Sequence, residues 1–301
     1  MIPVFRNIVL KIQSIFNGFD PLAFGPPMQF DHPSLHPIFI VGAPRSGSTL
    51  LYQLLLKHSK LAYISNLMSL TPNKMVLIAR HTNRLHKFNQ LKESDLGYLS
   101  GLFSPSEAGS IQKKWFESDF SEISSNQIRN TVIAITHAFS GPFLSKNLLN
   151  SLRLKQIKRI LPEARFIFIR RDPLYNAQSL LLSRKKMFGT INKWWSVQPI
   201  GYEETLKSDP FYQVIWQVLE IERTITNFCK KYSPDTINIA YEDLCKNVKK
   251  NVGKVSEKFS VELKKNVGFD DIGHMNAIKL PLEDWSKIEY YHKKLTKLHD
   301  S

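Results

Sequence analysis

The stretch Pro37-Ile-Phe-Ile-Val-Gly-Ala-Pro-Arg-Ser-Gly-Ser-Thr-Leu50 decides the fold of this chain. Its apolar residues 38–41 predict a buried β-strand. A loop between Gly42 and Gly47 follows, and a helix opens directly after it. Unpaired backbone N–H groups and the positive end of a helix dipole converge where such a loop meets its helix. The stretch therefore predicts an anion site at the carboxyl end of the first strand.

The kind of anion follows from the residues inside the loop. Four residues separate Gly42 from Gly47, which is the spacing of a phosphate-binding loop. Ser48 stands where a nucleotide triphosphatase carries its lysine, and Arg45 is the nearest cation. An arginine stays charged and acts as an electrostatic clamp. We predict an anion other than Mg-ATP, with a P-loop kinase or ATPase as the alternative.

The composition sets broad limits on structure and partners. The chain has 301 residues, 43% of them hydrophobic, which is enough for one large globular domain. Its 41 basic and 26 acidic side chains give a net charge of +15, which favours anionic partners such as a nucleotide, acidic lipid headgroups, an anionic sugar or nucleic acid. The two cysteines, Cys229 and Cys245, provide neither a disulfide framework nor a four-cysteine metal site.

The N-terminal residues 1–16 predict an amphipathic helix, and a connector containing proline and glycine continues to residue 36. The helix is expected either to pack on its own domain or to make peripheral membrane contact. No run of 18 apolar residues predicts a membrane-spanning helix, and the apolar part of residues 1–16 is too short and interrupted for a signal peptide. We therefore expect a single domain over residues 37–301 and a cytoplasmic location.

Strands alternate with helices beyond the first loop. Residues 165–170 and 236–240 predict two more buried strands, and Asp172 with Pro173 marks a helix start. Such alternation predicts an α/β fold, a three-layer sandwich with a central parallel sheet and helical decorations. In a sheet of this kind the ligand binds at the carboxyl ends of the strands.

A second candidate anion site lies in Phe166-Ile-Phe-Ile-Arg-Arg-Asp-Pro-Leu-Tyr-Asn-Ala-Gln-Ser179. A strand ends there on arginines and a helix begins at once. The guanidinium of Arg171 and the hydroxyl of Ser179 suit a phosphate monoester. The alternative is an arginine that pairs with a nearby aspartate. Together with the first loop, this site suits a nucleotide that is phosphorylated at both its 5′ and its 3′ position.

These segments resemble the donor-binding motifs of the sulfotransferase family, which uses 3′-phosphoadenosine 5′-phosphosulfate (PAPS). Ala43-Pro-Arg-Ser-Gly-Ser-Thr49 resembles the 5′-phosphosulfate loop, and Arg171 and Ser179 resemble the pair that holds the 3′-phosphate. The resemblance covers residues 37–259 and is nearest to the bacterial, carbohydrate and tyrosylprotein branches. Three shorter matches are Phe143-Leu-Ser-Lys-Asn147, Trp194-Trp195 and Tyr241-Glu-Asp-Leu244.

The resemblance implies a P-loop-NTPase-like sulfotransferase fold and transfer of a sulfuryl group from PAPS to a hydroxyl of a saccharide, glycolipid or other metabolite. It implies no metal. Basic stripes interleaved with aromatic residues are not evident outside residues 246–265, so no nucleic acid is expected, and a protein that binds nucleic acid or membranes is an alternative. Residues 60–140 and the C-terminal third are expected to face the acceptor. The donor-binding residues that it implies are Arg45, Ser46, Gly47, Ser48, Thr49, Leu50, Arg171 and Ser179.

Three catalytic residues are expected. Arg45 would stabilise the leaving phosphate, and Lys146 resembles the family lysine that contacts the transferred group, a surface lysine being the alternative. Transfer to a hydroxyl also requires a base. Residues 65–66 and 148 stand at the family's base positions and cannot accept a proton. Glu107, near a helix start, is the first candidate, although it could simply favour the helix dipole.

His137 is the second candidate for the base. For the aromatic side chain that stacks on adenine, Tyr202, Tyr241 and Trp216 stay open. Because no base is secure, a catalytically inactive homologue that binds nucleotides or polyanions is a further alternative.

Overall fold

The computed structural model of the chain describes residues 26–86, 88–116, 122–270, 272–273 and 276–300. The helix predicted over residues 1–16 lies outside these ranges. Among the described residues the strands are β1 (Ile38–Val41), β2 (Ser94–Asp95), β3 (Tyr98–Leu99), β4 (Leu144–Lys146), β5 (Arg165–Arg170) and β6 (Thr236–Ala240). The α-helices of this part of the chain are α1 (Ser48–His58), α2 (Asn66–Leu70), α3 (Met75–Thr82), α4 (Gly109–Phe116), α5 (Glu122–Phe139), α6 (Leu154–Ile160), α7 (Pro173–Phe188), α8 (Tyr202–Thr205), α9 (Pro210–Lys231), α10 (Tyr241–Lys246), α11 (Val248–Phe259) and α12 (Leu282–Asp300).

Four strands form one parallel sheet in the order β4-β1-β5-β6. Alternate side chains of a strand point to opposite faces of its sheet, and both faces are covered here. Phe39 and Phe166 belong to one buried apolar cluster, and Ile40 and Ile167 belong to the other. The two clusters separate three layers, so the predicted α/β sandwich with a central parallel sheet is confirmed.

The predicted helix start after β5 is also confirmed. α7 begins at Pro173, and an Asp172 carboxylate oxygen accepts a hydrogen bond from the Leu174 amide at 2.9 Å. This cap fixes where the chain leaves β5, because it satisfies one of the free amides of the first turn. The arginines that end the strand are therefore held at the carboxyl edge of the sheet.

Residues 60–140 contain more regular structure than their sequence pattern indicates. They include α2 to α5 and a small antiparallel hairpin, β2–β3. The hairpin turn consists of Leu96 and Gly97, which have φ values of +50° and +103°. Positive φ at both central positions is the geometry of a type I′ turn. The hairpin places both turn residues at the cavity described below.

Among the described residues the outer strand β6 has no further strand beside it, and lysines of α11 cover its free edge. Lys254 Nζ donates to the Asn238 carbonyl at 2.9 Å, and Lys258 Nζ donates to the Thr236 carbonyl at 2.7 Å. Charged side chains at an edge strand discourage pairing with another chain. Within the described ranges, no helix has the length and apolar character needed to cross a bilayer.

Candidate active site

A cavity of about 650 Å³ opens at the carboxyl ends of β1, β4 and β5. Each of these strands leads to a cationic side chain that lines the cavity: Arg45 after β1, Lys146 at the end of β4 and Arg171 after β5. The three strands are parallel, so their carboxyl ends share one edge of the sheet. This is where ligands bind in open α/β sheets.

The first loop requires both of its glycines. A Cβ atom on Gly42 would lie 2.5 Å from the Ile169 carbonyl oxygen, so the loop can pack against β5 only without a side chain. Gly47 has φ +90°, and a Cβ there would lie 2.3 Å from Tyr241 Cδ2. α1 begins directly after Gly47 with no side-chain cap. The uncapped helix start, residues 48–50, lines the cavity, as an anion site requires.

Ser46 is the one predicted donor-binding residue that does not line the cavity. It is fully buried, and its amide donates to the Ala43 carbonyl at 3.2 Å. Its hydroxyl has no hydrogen-bond partner among the described residues. The Ser46 amide therefore closes the loop internally instead of facing a ligand.

The two predicted anion sites meet in this cavity. Arg45 Nε donates to Ser179 Oγ at 3.1 Å, and Arg171 Nη1 donates to the Arg45 carbonyl at 3.2 Å. Arg45 adopts φ +71°, which is uncommon for a residue with a side chain. The Arg171 guanidinium also lies 4.7 Å from the centre of the Tyr241 ring, a cation–π distance. One ligand can therefore contact both arginines.

Two partly buried arginines give the cavity a positive charge that an anion would stabilise. Burial, and next the positive charge of Arg171, lower the pKa of Arg45 from its ordinary value. Burial also lowers the pKa of Arg171. Both directions mean that the charged form is less favourable here than in water. An anion bound between the two guanidinium groups would remove that cost.

The neighbouring Arg170 behaves differently. Its Nη2 donates to Glu222 Oε2 at 2.9 Å, and it is absent from the cavity wall. The arginine at the end of the strand thus forms an ion pair, with a glutamate and not with the aspartate that the alternative named. Arg171 is the one of the two that reaches the cavity.

Lys146 and Glu107 form an ion pair at the cavity wall. The Lys146 side chain is only 2% exposed, so the alternative of a surface lysine is wrong. The Glu107 carbonyl accepts hydrogen bonds from the side-chain amides of Gln112, at 3.0 Å, and Asn147, at 3.2 Å. These bonds fix the backbone of Glu107, which lies just before the start of α4. Its carboxylate is thereby held against Lys146.

Only one of the remaining candidate side chains, that of Tyr241, lines the cavity. His137 lies outside the cavity, and its Nε2 is 3.1 Å from Asp31 Oδ2, so it is not placed to serve as the base. Of the three aromatic candidates, Tyr241 lines the cavity and Tyr202 and Trp216 do not. Within the described residues, no group of three or more His, Cys, Asp or Glu side chains is arranged to hold a metal.

Two parts of the site lie within residues 60–140 and the C-terminal third, but the sequence analysis named none of their residues. A C-terminal segment reaches the donor side: Asn276 Oδ1 accepts from Arg171 Nε at 2.8 Å, and Gln178 binds the backbone of Ala277 and Lys279. The hairpin turn reaches the other side. Neither has a sequence signal, because the C-terminal contacts span about a hundred residues and Leu-Gly is not a typical hairpin turn sequence.

Comparisons with known proteins agree with this architecture. The family model described as "Sulfotransferase family" matches residues 37–265. The sulfotransferase STF9 from Mycobacterium avium superposes with a TM-score of 0.52 at 13% identity, over 95% of this chain and 72% of that one. The sulfotransferase STF1 from Mycobacterium tuberculosis H37Rv gives 0.51 at 13% identity, over 96% and 81%.

These two structural likenesses concern the fold. Among curated protein sequences no significant match is found. The family match covers the strands, the first loop and the second arginine motif, and it favours a sulfotransferase over the alternative of a P-loop kinase. The chain belongs to the sulfotransferase family.

Proposed function

We propose that this sulfotransferase takes its sulfuryl group from PAPS and transfers it to a hydroxyl acceptor, with residues 37–301 as one catalytic domain. The observation that carries the proposal is the meeting of Arg45 and Arg171 in one cavity. A nucleotide with anionic groups at its 5′ and 3′ positions offers one counter-charge to each arginine. Ordinary adenosine phosphates carry their charge at the 5′ position alone.

The roles of the donor-binding residues follow from their positions. The amides at the start of α1, residues 48–50, would hold the 5′-phosphate, because a helix N-terminus attracts anions. Arg171 and Ser179 would hold the 3′-phosphate through charge-assisted hydrogen bonds. Tyr241 is the aromatic candidate for adenine, since it alone of the three considered lines the cavity.

The transfer step needs charge stabilisation and removal of a proton. The acceptor oxygen forms a bond to sulfur while the bond from sulfur to the bridging oxygen of PAPS breaks, which yields a sulfate ester and 3′-phosphoadenosine 5′-phosphate. Arg45 and Lys146 stabilise the negative charge that moves onto the leaving group. Glu107 accepts the proton of the acceptor hydroxyl. The ammonium group of Lys146 holds the carboxylate of Glu107 in the cavity.

Calorimetry without magnesium tests the donor. We expect 3′-phosphoadenosine 5′-phosphate to bind about 10- to 100-fold more tightly than adenosine 5′-phosphate, as expected for one charge-assisted site. Arg171→Ala should remove most of that difference. Arg159→Ala, at an exposed position on α6 outside the cavity, is the matched control. Equal affinity of the parent protein for both nucleotides would reject the 3′-phosphate site.

Activity separates this proposal from the alternatives. Arg45→Ala and Glu107→Gln should each lower kcat for transfer from PAPS by a factor of about 100 or more, while circular dichroism shows an intact fold. A parent protein that binds the bisphosphate and transfers nothing would be an inactive homologue. Magnesium-dependent turnover of ATP would instead revive the kinase alternative.

A further inference from the structure

The hairpin turn carries an unusual residue choice. Leu96 has φ +50°, a left-handed conformation that glycine, asparagine and aspartate adopt readily and leucine does not. Its partly buried side chain lines the cavity. Backbone strain at a cavity wall is a recognised mark of function. The turn has a leucine at a position where asparagine or aspartate would adopt the required backbone conformation with less strain.

The turn lies directly against the ion pair. A Cβ atom on Gly97 would be 2.3 Å from Glu107 Oε1 and 3.4 Å from Lys146 Nζ. The turn that carries Leu96 therefore adjoins the carboxylate proposed to take the acceptor proton. Leu96 and Glu107 line the same cavity, so an acceptor whose hydroxyl reaches Glu107 can place the rest of its molecule against Leu96.

Other parts of the wall add apolar side chains to that of Leu96. Half-buried apolar side chains come from the turn after β4, from α7 and from the loop after α7: Leu148, Leu149, Leu182 and Trp195. They supply contact area without hydrogen-bond donors or acceptors.

Two polar side chains of the wall, those of Asn147 and Gln178, are already engaged within the protein. Asn147 donates to the Glu107 carbonyl and accepts from the Leu149 amide. Gln178 donates to the Ala277 carbonyl and accepts from the Lys279 amide. A saccharide ring presents several hydroxyls, each of which loses water on entry and needs a new partner. An alkyl or aryl group needs none.

We propose that the acceptor is an alkyl or aryl alcohol, with its hydroxyl at Glu107 and its apolar body against Leu96, and not a saccharide. This narrows the range of acceptors that the resemblance implies, and it rests on the proposed sulfuryl transfer at the same cavity. Leu96 is then the specificity-determining residue of the acceptor side.

Two probes test the acceptor class after calorimetry has established binding of 3′-phosphoadenosine 5′-phosphate. Transfer from radiolabelled PAPS is measured to 2-naphthol and to methyl glucoside, and saturation-transfer NMR measures binding of each to the bisphosphate-loaded protein. We expect kcat/KM to be at least about tenfold higher for 2-naphthol, because a few apolar groups in an apolar pocket give that discrimination.

The outcomes keep the two proposals apart. If the bisphosphate binds and methyl glucoside is the equal or better acceptor, the acceptor assignment is overturned while donor binding stands. The acceptor assignment is also overturned if the loaded protein binds no 2-naphthol. If the bisphosphate itself does not bind, the proposed donor is wrong and this inference falls with it.

The variant Leu96→Asn separates specificity from folding. Asparagine suits the left-handed turn, so the free energy of unfolding should stay the same or rise. We expect kcat/KM for 2-naphthol to fall by a factor of about ten, with affinity for the bisphosphate unchanged. Leu206→Asn, at a leucine that is 47% exposed and outside the cavity, is the control. An unchanged kcat/KM in Leu96→Asn would overturn the assignment of Leu96.

Discussion

The ion pair between Lys146 and Glu107 makes a quantitative prediction about stability, because its members are unequally buried. The side chain of Lys146 is 2% exposed and that of Glu107 is 35% exposed. Removing one member of a buried pair costs about 3–5 kcal/mol, since the other charge stays in a poorly solvated place. The cost therefore depends on which charge remains.

Glu107→Gln leaves the buried ammonium without a counter-charge, and we expect it to lower the free energy of unfolding by about 3 kcal/mol. Lys146→Met leaves a carboxylate that water can reach, and methionine fills most of the volume of the lysine chain. Its cost should be about 1–2 kcal/mol. The double variant contains neither charge and should lie within about 1 kcal/mol of the parent. The coupling free energy of the cycle is then about 4–5 kcal/mol in magnitude.

Urea denaturation at pH 7, followed by circular dichroism and tryptophan fluorescence, measures these differences if the m-values agree. The control is Lys186→Met, which breaks an exposed pair with Asp95 whose side chains are 62% and 70% exposed. That change should cost less than about 1 kcal/mol. Unequal burial does not set these costs if Glu107→Gln costs no more than the control, or if Lys146→Met is the more damaging single change.

Three further changes test other parts of the molecule. Burial, and next the charges of neighbouring lysines, lower the pKa of His58 to about 4, whereas an unfolded histidine titrates near 6.5. The free energy of unfolding should therefore fall as the pH drops from about 6.5 towards 4. In urea titrations, His58→Gln should make the free energy of unfolding less dependent on pH over this range. Gly97→Ala would place a methyl group 2.3 Å from Glu107 Oε1, so kcat should fall while calorimetry shows unchanged affinity for the bisphosphate. Lys258→Met removes a hydrogen bond to the free edge of β6, and light scattering should then show more self-association than in the parent.

The parts of the site that the sequence predicted are those encoded locally. The first loop, the start of α1 and the cap at Asp172 each depend on residues that lie within a few positions of one another. Hydrogen-bonding capacity and the dipole of a helix start follow directly from such short patterns. For the same reason the parallel sheet could be predicted from the alternation of strands and helices.

The parts that could not be predicted depend on contacts between distant residues. Glu107 and Lys146 are 39 residues apart, and Arg171 and Asn276 are 105 apart. No local pattern shows which carboxylate will face a given lysine. His137 is a second example of a side chain whose surroundings cannot be predicted from local sequence. A histidine at a helix end has the same sequence context whether it faces a cavity or solvent.

The link between Arg45, Ser179 and Arg171 turns two sequence motifs into one structural unit. The left-handed backbone of Arg45 accompanies a side chain bonded to Ser179 and a carbonyl oxygen bonded to Arg171. These two bonds offset the strain of the loop. They also hold the two guanidinium groups close enough for the charge of one to lower the pKa of the other. A nucleotide with phosphate at both ends offsets both positive charges together, whereas magnesium neutralises much of the charge of ATP. The discrimination between nucleotides that we propose would therefore follow from the spacing of two like charges, which neither motif contains by itself.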